Sequence, residues 1–174
     1  MTCIVGMVHK GKVFIGADSL GSNGHTKEIR KEPKVFHNGE FLIGGTSSFR
    51  MLDLLKWKFN PPTISNGDDL HKFMCTEFVD AVRELFKDNG YCITSGDWES
   101  GVFLVGVRGK LFKVECDFQV SEHDYTSCGS GEKHALGSLF TSRRNSPVKD
   151  ITKALEAAEY FMVSVQRPFV VLSK

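Results

Sequence analysis

The chain has 174 residues, 41% of them hydrophobic and 25% charged, with a mean hydropathy of -0.17, the profile of one ordinary globular domain. Its 22 Lys and Arg stand against 21 Asp and Glu, a net charge of +1, which argues against a dedicated nucleic-acid binder. The longest apolar runs, such as Val102 to Val107 and Pro168 to Leu172, fall far short of the roughly 20 residues that cross a bilayer, so no membrane partner is expected.

Met1 to Gly6 lacks a basic segment followed by a long apolar stretch, so the reading is a cytosolic protein without a secretory signal. Cys-Ile-Val-Gly-Met-Val (3 to 8) and Lys-Val-Phe-Ile-Gly-Ala (12 to 17) flank His9-Lys10-Gly11 and predict a hairpin at the start of the chain. Asp18 to Glu32 is polar and reads as a connection. Lys34 to Phe36 and Glu40 to Gly44, hinged at His37-Asn38-Gly39, predict a second strand pair. The period then changes. Ser47 or Ser48 caps a helix carrying Met51, Leu52, Leu54 and Leu55, stopped by Asn60-Pro61-Pro62.

A longer amphipathic helix fits Asp68 to Phe86, with Asp68 and Asp69 at its favourable N-terminal end. Residues 102 to 107 and 111 to 116 predict another hairpin around Arg108-Gly109-Lys110, and Tyr125 to Cys128 a short strand entering Gly129-Ser130-Gly131. Helices follow from Glu132 to Thr141 and, opened by Ser146-Pro147, to about Phe161. A strand over Phe169 to Leu172 closes the chain. Strand pairs alternating with helix pairs predict an α+β fold of two antiparallel sheets packed together and covered by helices. Without linker or repeat, residues 1 to 174 read as a single domain.

Two motif matches are set aside. Gly6 to Lys12 has the glycine and lysine spacing of a phosphate-binding loop, but Val13 stands where a magnesium-binding hydroxyl belongs and the segment is a hairpin. Cys116 with His123, or Cys128 with His134, lacks a second ligand pair at metal spacing, so no metal is expected. Five cysteines (Cys3, Cys75, Cys92, Cys116, Cys128) without CxxC spacing read as reduced packing residues.

Thr2 is different. Removal of Met1 before so small a residue is expected and leaves a threonine whose free α-amine lies beside its own hydroxyl. An amine of unperturbed pKa about 7.7 to 8.0 is a usable general base near neutral pH. Nucleophile and base then reside in one residue. Thr2 leads into Cys-Ile-Val-Gly-Met-Val-His-Lys-Gly-Lys-Val-Phe-Ile-Gly-Ala-Asp18, then Lys34-Val35-Phe36, Gly44-Gly45-Thr46-Ser47-Ser48 and Gly129-Ser130-Gly131. In these residues, their order and their intervals the chain resembles the proteasome β-subunit family, including the bacterial HslV peptidase, over nearly its whole length.

The resemblance implies a four-layer αββα sandwich, the N-terminal nucleophile hydrolase fold, and a threonine-type peptidase without metal or other cofactor. It makes Thr2 the nucleophile, Lys34 the positive charge beside its hydroxyl, Asp18 the carboxylate holding Lys34, and Ser130 the proton shuttle beside the amine. The oxyanion-hole amide falls at Ser47 or Ser48, and Gly21, Ser22, Glu32 and Phe36 lie near the first specificity pocket, with Phe36 bounding it. Family members often carry an Asp and a Ser three residues apart after the last long helix. Here those positions read Met162 and Val165, so two polar supports of the amine are expected to be lost.

By the same resemblance the partners are peptide or unfolded-protein substrates, other copies of the chain in a ring, and an ATP-driven unfoldase. Two alternatives stay open: a noncatalytic structural ring subunit, or an amidohydrolase of the same superfamily acting on small amides.

Overall fold

The computed structural model describes residues 2–91, 100–143 and 145–174; Met1 and Cys92 lie outside them. Two antiparallel sheets form the centre. One has strand order β10-β1-β2-β11, built from β1 (Cys3–His9), β2 (Lys12–Ala17), β10 (Tyr125–Gly129) and β11 (Val170–Ser173). The other has the order β5-β6-β7-β8-β9, from β5 (Val35–Asn38), β6 (Phe41–Gly45), β7 (Phe103–Val107), β8 (Lys110–Val114) and β9 (Val120–His123). The connection between Asp18 and Glu32 contains a small ribbon of its own, β3 (Leu20–Ser22) with β4 (Lys27–Ile29). Its three-residue strands are too short to show alternation, and β4 is exposed throughout. Strand β9 likewise lies outside the elements that the sequence pattern predicts.

The helices are α1 (Phe49–Asp53), continued by a wider π-type turn over Leu54–Lys58; α2 (Leu70–Phe73), a second π-type turn over Met74–Phe78 and α3 (Val79–Asp88); α4 (Glu132–Thr141); and α5 (Pro147–Phe161). Three apolar clusters fill the spaces between four layers. Cys3, Val5 and Met7 of β1 meet Ala135 and Leu139 of α4 and Ile151, Ala154, Leu155 and Ala158 of α5. Ile4 of the same strand faces the other way, with Val13, Ile15 and Ala17 against Val35, Leu42, Leu104 and Leu111 of the second sheet. On the far side of that sheet, Phe41, Ile43, Phe103, Val105 and Phe112 meet Met51, Leu54, Leu55, Phe78, Val82 and Phe86. The αββα order follows from the period of two along the central strands, which gives β1, β6 and β7 two buried faces.

Turn and cap chemistry agree with this layering. Lys10 and Gly11, at φ 50° and 73°, join β1 to β2 in the tight turn whose twist suits a hairpin. Ser48 caps α1, its Oγ accepting from the Met51 amide at 3.4 Å, and Asp69 caps α2 through the amides of His71 and Lys72 at 3.0 and 3.2 Å. Ser146 makes no side-chain cap; instead Asp150 accepts its backbone N–H at 3.0 Å. Of the described cysteines, Cys3 and Cys128 are buried packing residues, whereas Cys75 and Cys116 are exposed.

Gly16 faces α5, where an added Cβ would strike Ile151 Cγ2 and come within 3.3 Å of Leu155 Cδ1. Gly137, inside α4, has nothing within 4 Å of such a Cβ. Gly16→Ala is therefore expected to destabilise by about 1–3 kcal/mol through overpacking, and Gly137→Ala to stabilise by roughly 0.5–1 kcal/mol through helix propensity. Urea unfolding of the two variants checks the pair; equal shifts of the same sign would contradict the layer packing.

Candidate active site

Strand register gathers one end of the sandwich. Cys3 pairs with Gly129 and Ile4 with Ala17, so Thr2, just before β1, lies beside Ser130, just after β10, and Asp18, just after β2, lies beside Cys3. Lys34 precedes β5, and its carbonyl accepts the Gly45 amide at 3.1 Å, which brings it to the end of β6. Gly129 is required at this corner. Its φ is +97°, and an added Cβ would strike the Thr2 carbonyl.

Lys34 Nζ donates to Thr2 Oγ1 at 3.0 Å and to Asp18 Oδ1 at 2.8 Å. Thr2, Asp18 and Lys34 are at most 4% exposed. A buried carboxylate needs donors as well as a counter-charge, and Asp18 has both: its Oδ1 also accepts the Cys3 amide, and its Oδ2 the amides of Leu20 and Gln166, at 3.0, 3.0 and 3.4 Å. Burial lowers the Lys34 pKa from its ordinary value, opposed by the charge and hydrogen bond of Asp18. Neighbouring Cys3 is no competing nucleophile, since burial pushes its thiol up to about 12.

On the other side of Thr2 its backbone nitrogen donates to Ser130 Oγ at 3.2 Å. Ser130 is exposed, and its hydroxyl lies 2.7 Å from Ser164 Oγ. The helix after it is capped by Gly131, with no side-chain cap, so the Ser130 hydroxyl is engaged with Thr2 and Ser164. Ser164 is a polar neighbour that sequence reasoning misses. Met162 and Val165, the positions at which the resemblance looks for polar supports, pack into the helix-side cluster, and Ser164, one residue before Val165, brings a hydroxyl to Ser130 instead. Ser164 is held there because the chain must return from α5 to β11: Gln166 accepts the Ser19 amide at 3.0 Å and Pro168 the Ser19 hydroxyl at 2.7 Å.

A small cavity of about 40 Å³ is lined by Thr2, Ser22, Lys34, Gly45, Thr46, Ser47, Ser48, Phe49 and Leu52. Ser47 has φ +71°, and the Ser48 amide donates to the Thr46 carbonyl across it at 2.9 Å, a tight γ-type turn strained for a non-glycine residue. Gly45 and Thr46 amides are engaged with Lys34 and Val102 carbonyls. Among the described residues the Ser47 amide has no such acceptor, whereas the Ser48 amide is engaged by the Thr46 carbonyl.

Gly21 and Ser22 line a larger groove of about 370 Å³ with Asn23, Thr26, Lys27, Glu28 and Phe49. Glu32 and Phe36 line a third cavity with Arg30, Pro33, Phe49, Leu52, Asp53, Lys56 and Trp57. Phe36 does not line the cavity of Thr2, contrary to expectation. Alternation along β5 turns Val35 into the inter-sheet space and Phe36 into the helix-side cluster. Among the described residues no group of three or more His, Cys, Asp or Glu side chains is placed to hold a metal ion, and no helix there is long and apolar enough to cross a membrane.

The fold is that of the HslV and proteasome-like structures. "Thiobacillus denitrificans BPH" superposes with a TM-score of 0.83 at 20% identity, over 99% of this chain and 97% of that one. HslV from Trypanosoma brucei superposes with a TM-score of 0.69 at 14% identity, over 99% and 98%. Anbu from Hyphomicrobium, a Gly-1 mutant, gives 0.72 at 14%, over 98% and 80%. No protein-family model and no curated protein matches the sequence.

Removing the Lys34 charge leaves the Asp18 carboxylate buried without a cation. Lys34→Met is expected to cost about 3–5 kcal/mol, and the double variant Asp18→Asn with Lys34→Met to be more stable than Lys34→Met alone. Guanidinium unfolding of the three proteins measures this. If the single and double variants were equally stable, the ion pair would not be what holds this end of the fold.

Proposed function

We propose that the chain is a threonine-type hydrolase that cleaves peptide bonds with Thr2 once Met1 is removed. The observation that carries this reading is the buried Lys34 Nζ at 3.0 Å from Thr2 Oγ1 and 2.8 Å from Asp18, a cation aimed at a hydroxyl where negative charge would develop. In support, the Thiobacillus BPH fold holds epoxomicin in a second structure, which superposes on this chain with a TM-score of 0.81 at 19% identity.

With Met1 gone, the amine of Thr2 takes the hydroxyl proton, directly or through the Ser130 hydroxyl at 3.2 Å. Oγ1 attacks the substrate carbonyl carbon, and the oxyanion meets the Ser47 amide. Collapse of the tetrahedral species breaks the C–N bond as the protonated amine returns its proton to the leaving nitrogen. An ester on Thr2 remains. Water, deprotonated by the same amine, attacks that ester, releases the acid and restores the hydroxyl. Lys34 stays charged throughout, held by Asp18, and lowers the basicity of the neighbouring amine. An intact Met1–Thr2 peptide bond gives nitrogen no free lone pair and removes the base. Ring assembly and an ATP-driven unfoldase belong to the same reading and would restrict which chains reach Thr2.

Two outcomes are expected. The Met-less protein cleaves peptides and gains the mass of epoxomicin, whereas Thr2→Ala does neither, and retention of Met1 lowers the rate by about 10²–10⁴. Intact-mass and peptide-cleavage measurements decide this; cleavage untouched in Thr2→Ala would overturn the reading and favour another centre. The profile of kcat/KM against pH should be bell-shaped. It rises as the amine loses its proton and falls at alkaline pH as Lys34 does; because the Lys34 pKa is lowered, the fall comes below pH 10.5. An alkaline limb at or above that value would mean that the Lys34 charge is not needed.

A further inference from the structure

The peptidase reading places a substrate side chain in a particular space. When Thr2 Oγ1 attacks a peptide carbonyl, the residue preceding the scissile bond carries its side chain one atom from the reacting carbon. That side chain must enter a space that Thr2 itself borders. The cavity lined by Thr2 and Lys34 is only about 40 Å³, room for about three water-sized groups. That volume matches alanine, serine or valine better than an aromatic ring.

Three of its walls are shared. Phe49 and Leu52 line this cavity and also the neighbouring one of about 40 Å³ that contains Phe36, Lys56 and Trp57, and Ser22 with Phe49 borders the groove of about 370 Å³. Leu52 is fixed by close packing on the Gly45 backbone, where an added Cβ would lie 2.7 Å from its Cδ2. Phe49 is only half-buried and is held from the outside. The Arg30 guanidinium stacks 3.9 Å from its ring centroid, while Arg30 is itself anchored by Glu28 at 3.2 Å and Glu32 at 3.4 Å. Such a stack of a cation on a ring face favours one ring position over others. Beyond the ring lies a surface suited to larger side chains: Phe36 with the Lys56 ammonium 5.9 Å from its centroid, and Trp57 at 4.5 Å from the same ammonium.

We propose that Phe49, pinned by Arg30, is the partition that restricts this enzyme to peptides with a small residue before the scissile bond, and that removing it joins the two cavities into a pocket for large apolar residues. This rests on the peptidase reading above. Arg30 is a positioning residue: it reaches the pocket only through Phe49, and Glu32 acts one step further out.

The test uses Met-less protein and fluorogenic tetrapeptide amides that differ only in having alanine, leucine or phenylalanine before the cleaved bond. For the unsubstituted protein the kcat/KM ratio of alanine to phenylalanine is expected to be at least about tenfold. Phe49→Ala is expected to reverse it, and Arg30→Ala, which keeps the ring but frees it, to move it several-fold in the same direction through KM for phenylalanine. If Phe49→Ala does not fold, Arg30→Ala alone decides. Cleavage that already favours phenylalanine in the unsubstituted protein, or ratios unchanged in the variants, overturns the partition and leaves the peptidase reading standing. Absence of cleavage of all three peptides by Met-less protein overturns both.

Discussion

The ion pair between Lys34 and Asp18, 2.8 Å apart and almost wholly buried, is the constraint around which this end of the molecule is organised. Two charges withdrawn from water cost several kcal/mol each unless their remaining valences are met. Here three backbone amides complete the carboxylate and the Thr2 hydroxyl lies in reach of the ammonium. Those amides come from β1, from the residue opening β3 and from the return loop before β11. One buried charge pair therefore fixes the relative positions of elements that are far apart in sequence, and the same pair gives Thr2 its electrostatic setting.

The layers deliver those elements at the required spacing. Both faces of β1 and β2 are buried, one under α4 and α5, the other against the second sheet, so the ends of these strands cannot shift without disturbing two cores. Loop segments at the same end are built on this support. The turn at Ser47 is held in a left-handed backbone conformation by its flanks: Thr46 bonds to the Val102 carbonyl at 2.9 Å through its hydroxyl and at 3.0 Å through its amide, and Ser48 begins α1. The strain of that turn is thus carried by a rigid surround.

Much of this is legible in the sequence where local pattern and tertiary demand coincide. The hairpin of β1 and β2 reads from its two β-rich runs around His9-Lys10-Gly11, and α5 from Ser146-Pro147 at its start. The resemblance to the proteasome β-subunit family, carried by the intervals from Thr2 to Asp18 and Lys34, brings these three residues together ahead of the structure. What stays hidden depends on contacts that spacing does not encode. The β3–β4 ribbon has too few residues for a period, and the π-type turns in the two helical stretches interrupt helices whose apolar spacing reads as continuous. Ser164 gains its partner from the closure of β11 onto β2 rather than from its neighbours in sequence. The resemblance puts Phe36 near the first specificity pocket, whereas the pleat of β5 turns it to the helix side of its sheet and Phe49 borders the cavity of Thr2.

In the proposed reaction Thr2 Oγ1 forms the covalent bond to substrate. Its most direct test is to quench Met-less protein during turnover of a slowly hydrolysed peptide ester, digest it, and locate the acyl group by tandem mass spectrometry and by its lability to hydroxylamine. The account predicts one acyl group per active chain, on the N-terminal peptide beginning with Thr2 and cleaved by neutral hydroxylamine, as an ester is and an amide is not. An acyl group found on another residue, or a hydroxylamine-resistant adduct at Thr2 from which product never forms, would contradict it.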